Sequence, residues 1–212
     1  MQNKTLILIG GGGHCKSVID VAESAGFTIK GILDTPENVG KKVLDYVVVG
    51  TDDQIKDYVR ESVFLVTVGQ IKDATLRIKL HRKVAEAGGE LTTVVAKTAR
   101  VSKYAVIGKG TVIMHQAVVN ADAKIGKGCI INTFANIEHD AEIGDFCHIS
   151  TGAMVNGCCK VGEETFLGSQ SVMVNGTEIA SGCVIAAGAM IRKHITKKGI
   201  YWGNPATLKM EL

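Results

Sequence analysis

A chain of 212 residues can hold one large domain or two modest ones, and either can bury a real core. Hydrophobic residues make up 46% and charged residues 21%, and the net charge of +3 is too mild for the dense basic stripe of a nucleic-acid binder. No apolar run approaches membrane-spanning length, and Met1 leads straight into a strand-like segment without a signal-peptide pattern, so the sequence reads as a cytoplasmic protein with no membrane and no nucleic-acid partner.

Residues 1–93 alternate strands and helices. Thr5–Ile9 is an apolar strand ending in Gly10-Gly11-Gly12-Gly13, followed by a helix-like stretch over 14–25. A second strand over 28–33 ends at Asp34-Thr35, and a weaker one over 46–49 leads into Thr51-Asp52-Asp53, a good helix start. A buried strand over 63–68 ends at Gly69-Gln70, and 72–87 reads as an amphipathic helix. Such alternation predicts a short parallel sheet of Rossmann type, in which ligands bind at the carboxyl ends of the strands. The glycine run, Asp34-Thr35 and Gly69-Gln70 all fall at those ends. A glycine run can bring amides and a helix N-terminus up to a phosphate, or simply make a tight strand-to-helix turn. Asp34 by itself reads equally well as a solvated loop carboxylate. The dinucleotide fingerprint is incomplete, because position 15 is cysteine.

Residues 94–212 follow another rule. From Val95 to Ile191 every sixth residue is aliphatic, seventeen in register, and four residues after each of the first sixteen comes Ala, Thr, Ser or Cys. A period of six fits neither a helix nor a flat strand. It fits a hexapeptide parallel β-helix, in which three hexads close one triangular coil and the aliphatic residue stacks inward on its equivalent eighteen positions away. Seventeen hexads make between five and six coils. Gly108, Gly126, Gly144, Gly162 and Gly168 often follow the aliphatic position, where glycine is expected to relieve strained backbone at the turns. The core is poor in rings, with 5% aromatics, as thin regular stacking requires. Cys129, Cys147, Cys159 and Cys183 occupy the small inward place and read as compact hydrophobes, while Cys15 and Cys158 fall outside the pattern.

In the middle of the array stands Ile137-Glu138-His139-Asp140. His139 holds the third place of its hexad, so its side chain is expected to point out of the coil, and Asp140 follows directly to orient or charge it. Gly157 lies eighteen residues on, one coil above, where it leaves room for a bulky ligand. A base and an amide donor on adjacent rungs make a workable acyl-transfer site. Other histidines promise less. His81 falls on the charged face of the 72–87 helix and reads as solvated, and His115 has no obvious partner. His194 sits among Arg192, Lys193, Lys197 and Lys198, either a solvated surface or a contact for the phosphates of a ligand.

With Gly12-Gly13-His14, the hexad array, Ile137-Glu138-His139-Asp140 and the closing Gly203-Asn204-Pro205-Ala206, essentially the whole chain resembles the hexapeptide-repeat sugar acetyltransferases. These are the bacillosamine- and perosamine-type nucleotide-sugar N-acetyltransferases, together with the sialic-acid O-acetyltransferases. The resemblance implies an α/β Rossmann-like domain followed by a left-handed parallel β-helix, and a homotrimer with acetyl-CoA lying between neighbouring β-helices. It implies that His139 is the general base and Asp140 the carboxylate that raises its basicity. It implies that His148, Ser169 and Ala187 line the coenzyme while the Gly157 N–H holds the acetyl carbonyl. It further implies that Gly12, Gly13, His14, Asp34, Thr35 and Gly69 hold the nucleotide of the acceptor. Gln70 stands where a bacillosamine-type relative carries Asn, and Ala187 replaces a glycine, which leaves the base and sugar open. The implied reaction acetylates a nucleotide-linked amino sugar, with a sialic-acid O-acetyltransferase as the alternative; a non-catalytic nucleotide-sugar binder is a third reading. A zinc lyase of γ-carbonic-anhydrase type would need a His-x-x-x-x-His pair, which the chain lacks, so no metal is expected.

Overall fold

A computed structural model describes residues 4–212. The front region is a five-stranded sheet built from β1 (Thr5–Ile9), β2 (Ile29–Asp34), β3 (Lys42–Val43), β4 (Tyr46–Thr51) and β5 (Ser62–Val66). Its order is β3-β4-β2-β1-β5, parallel except for the β3–β4 hairpin. Helices α1 (Gly13–Ser24), α2 (Ile55–Tyr58) and α3 (Thr75–Glu86) complete it. The β3–β4 hairpin was not expected from the sequence, because its first arm is only two residues long. Strand order reverses beside β1, so the crevice at the carboxyl ends of β1 and β5 is where a ligand of such a sheet belongs. The loops 10–13 and 67–70 border that crevice.

From Val94–Val95 to Met190–Ile191 the chain forms seventeen two-residue strands, β6 to β22, one per hexad. They stack in parallel with an eighteen-residue register into three faces. The first face is β6, β9, β12, β15, β18 and β21; the second is β7, β10, β13, β16, β19 and β22; the third is β8, β11, β14, β17 and β20. The inward aliphatics and the small residues make one continuous core, including Cys129, Cys147, Cys159 and Cys183. Burial pushes the Cys129 thiol up to about 12, as a compact hydrophobe requires. Cys15 is also buried, in the core under α1. A final hairpin, β23 (Gly199–Trp202) and β24 (Thr207–Glu211), pairs with β21 and lays the buried Tyr201 over the end of the ladder. Such a cap is what an open stack of coils needs at its terminus.

The glycines work differently from the expectation. From Ile107 to Ile185 a left-handed corner falls three residues after each inward aliphatic, and non-glycine residues occupy most of these corners: Gln116, Asp122, Phe134, Asp140, Phe146, Cys158, Glu164 and Gln170, with φ between 54° and 59°. Each costs roughly 1 kcal/mol, offset by corner hydrogen bonds such as Asp140 N to Ala121 O and Cys158 N to His139 O. Gly108, Gly126, Gly144, Gly162 and Gly168 have ordinary φ. They are needed because a methyl group there would come within 2.4–2.6 Å of the next coil.

The outward residues of the three faces differ, and this fixes how the two parts meet. On the first face Val94, Val112 and Ile130 form an apolar column that packs with Cys15, Val18, Ile19 and Ala22 of α1 in one core. On the second face Val118, Asn136, Val172 and Met190 are half-buried and Met154 is exposed. On the third face Lys124, Glu142, Lys160 and Glu178 alternate in sign and face solvent.

Candidate active site

His139 and Asp140 lie at the corner between the second and third faces, after β13 (Asn136–Ile137). The imidazole Nδ1 is 2.7 Å from Asp140 Oδ2, and both side chains are more than half exposed. The carboxylate therefore holds the proton on Nδ1 and leaves Nε2 with its lone pair, the state a general base requires. Glu138 is turned away, accepting from Asn120 Nδ2 and Asn136 Nδ2, which hold its carboxyl below the usual range. Gly157 does stack above His139, but the room it leaves is taken by the imidazole itself. A methyl group on Gly157 would sit 2.7 Å from His139 Cε1 and Nε2 and 3.3 Å from Asn175 Nδ2.

The front-domain residues form a second group. Gly12 caps α1 and Gly13 and His14 open it. Gly10 has φ +104°, and a methyl group on Gly11 would collide with Asp34 Oδ2 at 2.7 Å, so these two glycines are set by internal geometry. A methyl group on Gly12 or Gly13 would meet nothing within 4 Å. Asp34 is not a free loop carboxylate: it accepts from the Gly11 amide at 3.1 Å, the Thr35 amide at 2.8 Å and Asn38 Nδ2 at 3.2 Å. Gly69 lies against the His14 side chain.

His148 belongs with this second group. It is buried on the outer side of the first face, its Nδ1 2.8 Å from Gln70 O, its Nε2 3.2 Å from Asn132 Nδ2, and its ring edge-on to Phe166. His14 and His148 approach with ring centroids 6.4 Å apart. Desolvation, then the Arg77 guanidinium and His148, push His14 down to about 3; desolvation, with Arg77, pushes His148 down to about 4. Both rings are therefore neutral at physiological pH. Ser169 and Ala187 sit at the corner between the first and second faces, with Ser169 Oγ 3.0 Å from Ser150 Oγ. A full strand of the second face separates that corner from His139 and Gly157, so one chain does not bring the two halves together.

Several residues behave otherwise than expected. His81 is buried, edge-on to Phe146 at 5.0 Å, and desolvation with Arg77 and Lys127 pushes it down to about 3. Arg77, fully buried, donates to Val66 O and Val68 O and, at 2.7 Å, to Gly128 O, tying α3 to the β-helix. Arg77, Leu80, His81 and Val84 form the inner stripe of α3, at the i, i+3, i+4, i+7 spacing. That spacing was legible; two polar members hid it. His115 does have a partner: Nδ1 is hydrogen-bonded to Thr98 Oγ1 at 2.7 Å, while Nε2 lies 3.1 Å from Asp20 Oδ2 without a hydrogen bond. A hollow of about 910 Å³ runs along the charged third face; His194 lies at its end, but neither His139, Asp140 nor any of the residues expected to hold the coenzyme or the nucleotide lines it. A hollow of about 590 Å³ at the end of the coils is lined by Arg192, Lys193, His194 and Lys197.

Comparison with known proteins accounts for both parts. Residues 5–84 match the PglD N-terminal domain, and residues 104–139, 122–157 and 158–193 match the bacterial transferase hexapeptide (six repeats). A point mutant of perosamine N-acetyltransferase from Caulobacter crescentus, in complex with CoA and GDP-perosamine, is 32% identical with a TM-score of 0.91, over 99% of this chain and 98% of its own. The acetyltransferase domain of PglB from Neisseria gonorrhoeae FA1090, in complex with acetyl coenzyme A, is 32% identical with a TM-score of 0.90, over 98% of this chain and 100% of its own. The uncharacterized protein L142 of Acanthamoeba polyphaga mimivirus is 35% identical over 106 residues, which span 50% of this chain and 20% of the viral protein.

Proposed function

The chain belongs to the family of hexapeptide-repeat acetyltransferases that includes perosamine N-acetyltransferase and the PglB acetyltransferase domain, and from this we infer that it transfers acetyl from acetyl-CoA to the amino group of a nucleotide-linked amino sugar. The observation that carries the reading is the His139–Asp140 pair, with Nδ1 engaged at 2.7 Å and Nε2 left to accept a proton. The sugar nitrogen attacks the thioester carbonyl, and the charge on oxygen is met by the Gly157 amide. As the carbon–sulfur bond breaks, His139 Nε2 takes the proton from nitrogen and passes it to the leaving thiolate. Amide and CoA thiol are the products.

Gly12 and Gly13 carry the acceptor's phosphates, since nothing inside the chain requires glycine at either position and the α1 N-terminus favours an anion there. Asp34, held by three donors, with Thr35, His14 and Gly69 beside it, completes the nucleotide site. Ser169, Ala187 and His148 line the pantetheine path. Arg192, Lys193 and Lys197 at the coil end meet the coenzyme's phosphates.

The active unit is a homotrimer. Its support is the division of the site between two corners, together with the half-buried Val118, Val172 and Met190 and the exposed Met154 on the face between them. Packing second faces together sets one subunit's His139 corner against the next subunit's Ser169 corner. No described helix is long and apolar enough to cross a membrane, and six free cysteines suit a reducing compartment, so we place the enzyme in the cytoplasm. The domain boundary falls at 93/94, just before the first coil.

The test is a thiol-release assay with acetyl-CoA against UDP-, GDP- and dTDP-linked amino sugars and free sialic acid. Release with one nucleotide amino sugar supports the reading. Release with sialic acid alone replaces it by O-acetylation.

A further inference from the structure

Cys158 is the exposed cysteine of the six; the others are buried. It stands eighteen residues after Asp140, at the same left-handed corner one coil up, and both have φ +59°. Its amide donates to His139 O at 3.0 Å, which pins the two rungs together. One ligand atom each from His139, Asp140 and Cys158 lie within 4.8 Å of one another. On the rung above, Gly176 presents no side chain, and a methyl group there would meet nothing within 4 Å. The thiol is therefore uncovered.

From this we propose that His139, Asp140 and Cys158 bind a thiophilic divalent cation of the zinc class, and that the bound metal blocks acetyl transfer. The donor set is one imidazole nitrogen, one carboxylate oxygen and one thiolate, a combination suited to zinc and poorly suited to magnesium or calcium. Zinc bonds of about 2.0–2.3 Å place tetrahedral ligand atoms roughly 3.3–3.7 Å apart. Exposed side-chain tips at one corner reach that spacing without moving the coils. The cation replaces the proton between His139 Nδ1 and Asp140, that proton moves to Nε2, whose lone pair is thereby used up, and the Cys158 thiol releases its proton to solvent as the sulfur–metal bond forms. An acidic hollow of about 350 Å³ adjoins the site, with Asp122, Asp140 and Glu142 in its walls and Lys124 as its cation. This favours cation approach.

The site is not a catalytic zinc centre. It occupies the group proposed as the general base and so removes the base from the reaction. The inhibitory part of the proposal rests on the role assigned to His139; the binding part does not.

Cobalt is the probe for binding, because its thiolate complexes absorb in the near ultraviolet. Titrating the intact protein with Co²⁺ should give one thiolate-to-cobalt charge-transfer band per chain, which Zn²⁺ displaces. Cys158→Ser should abolish the band and weaken Zn²⁺ binding about 10–100-fold or more, since losing even a ligand's supporting contact costs that much. His139→Ala should weaken binding comparably. In the thiol-release assay Zn²⁺ should slow the wild type, and Cys158→Ser should resist Zn²⁺ while its metal-free rate is unchanged. A cobalt complex without a thiolate band, or a band that survives Cys158→Ser, overturns the site. Equal Zn²⁺ inhibition of wild type and Cys158→Ser overturns its role in inhibition. Zinc bound at the site with transfer at full rate overturns the inhibitory part and, with it, His139 as the base, while the binding site stands.

Discussion

Gly157 and His139 are a matched pair: the imidazole lies so close over the glycine that a single methyl group would sit 2.7 Å from its Nε2. The backbone of Gly157 has no left-handed φ that would demand glycine. Its lack of a side chain serves the ring one coil below. Gly157→Ala should therefore swing His139 away from Asp140 while leaving the inward ladder of Val155 and Cys159 intact. We expect kcat to fall towards that of a base-deleted enzyme, with a nearly unchanged melting temperature. Wild-type kcat in this variant would show that the imidazole tolerates displacement.

Removing the proposed base itself sets the scale. His139→Ala should lower kcat about 10²–10⁴-fold, the usual contribution of a positioned general base. KM for acetyl-CoA should move little, because in the proposed site the ring meets the reacting centre and not the coenzyme's long arm. Combined with Gly157→Ala the losses should not add, since both remove the same group. Steady-state thiol release measures all three variants. A His139→Ala enzyme retaining more than about a third of wild-type kcat ends the assignment.

Stability should fall in mild acid. His81 and His148 are buried, and desolvation holds them near 3 and 4 against an ordinary 6.5. Between those values the unfolded chain takes up protons that the folded one refuses. The stability is fully present above pH 6.5 and is lost as pH falls towards 4, by up to about 1.4 kcal/mol per pH unit for each histidine. His81 Nε2 has no hydrogen-bond partner, so His81→Phe should cost little at neutral pH and flatten the acid limb. Calorimetric melts from pH 4 to 8 check this; an unchanged slope in the variant would show that His81 protonates without unfolding.

The β-helix and the His139–Asp140 corner were legible because both follow from a fixed period. Once Ile137 is inward, position 139 is outward, and positions 140 and 158 share a corner. The junction between the two parts was harder to read. The doublets Val94-Val95, Val112-Ile113 and Ile130-Ile131 recur every eighteen residues, and the first member of each points outward under α1. The sequence carries that second column, but a search for one inward residue per hexad passes over it. Arg77 and His81 were hidden for another reason. Polar residues on a helix are assigned to solvent, and only tertiary packing reveals that the neighbouring carbonyls of Val66, Val68 and Gly128 take up the guanidinium. The division of the site between two corners needs the coil geometry and cannot be seen from motif spacing alone.

The same outward column governs what happens when the front domain is removed. A fragment beginning near Leu91 keeps all seventeen hexads, yet it uncovers Val94, Val112, Met114 and Ile130, each no more than 2% exposed in the whole chain. A contiguous apolar strip of this kind promotes association, so the plain fragment should aggregate. Replacing Val112 and Ile130 by Thr, which suits a strand and tolerates water, should return a soluble trimer. That trimer should bind acetyl-CoA through the Ser169 corner but lose the loops at Gly12–His14, Asp34-Thr35 and Gly69. The remote part of a substrate supplies binding energy that positions its reacting group, so kcat/KM for the nucleotide sugar should collapse. Asp34→Ala is the milder form of the test in the intact chain. It frees the Gly11 amide and removes a contact proposed for the nucleotide, so acceptor KM should rise while coenzyme KM stays put. If the soluble fragment acetylates the nucleotide sugar as efficiently as the whole enzyme, the front domain has another role and free sialic acid becomes the better acceptor.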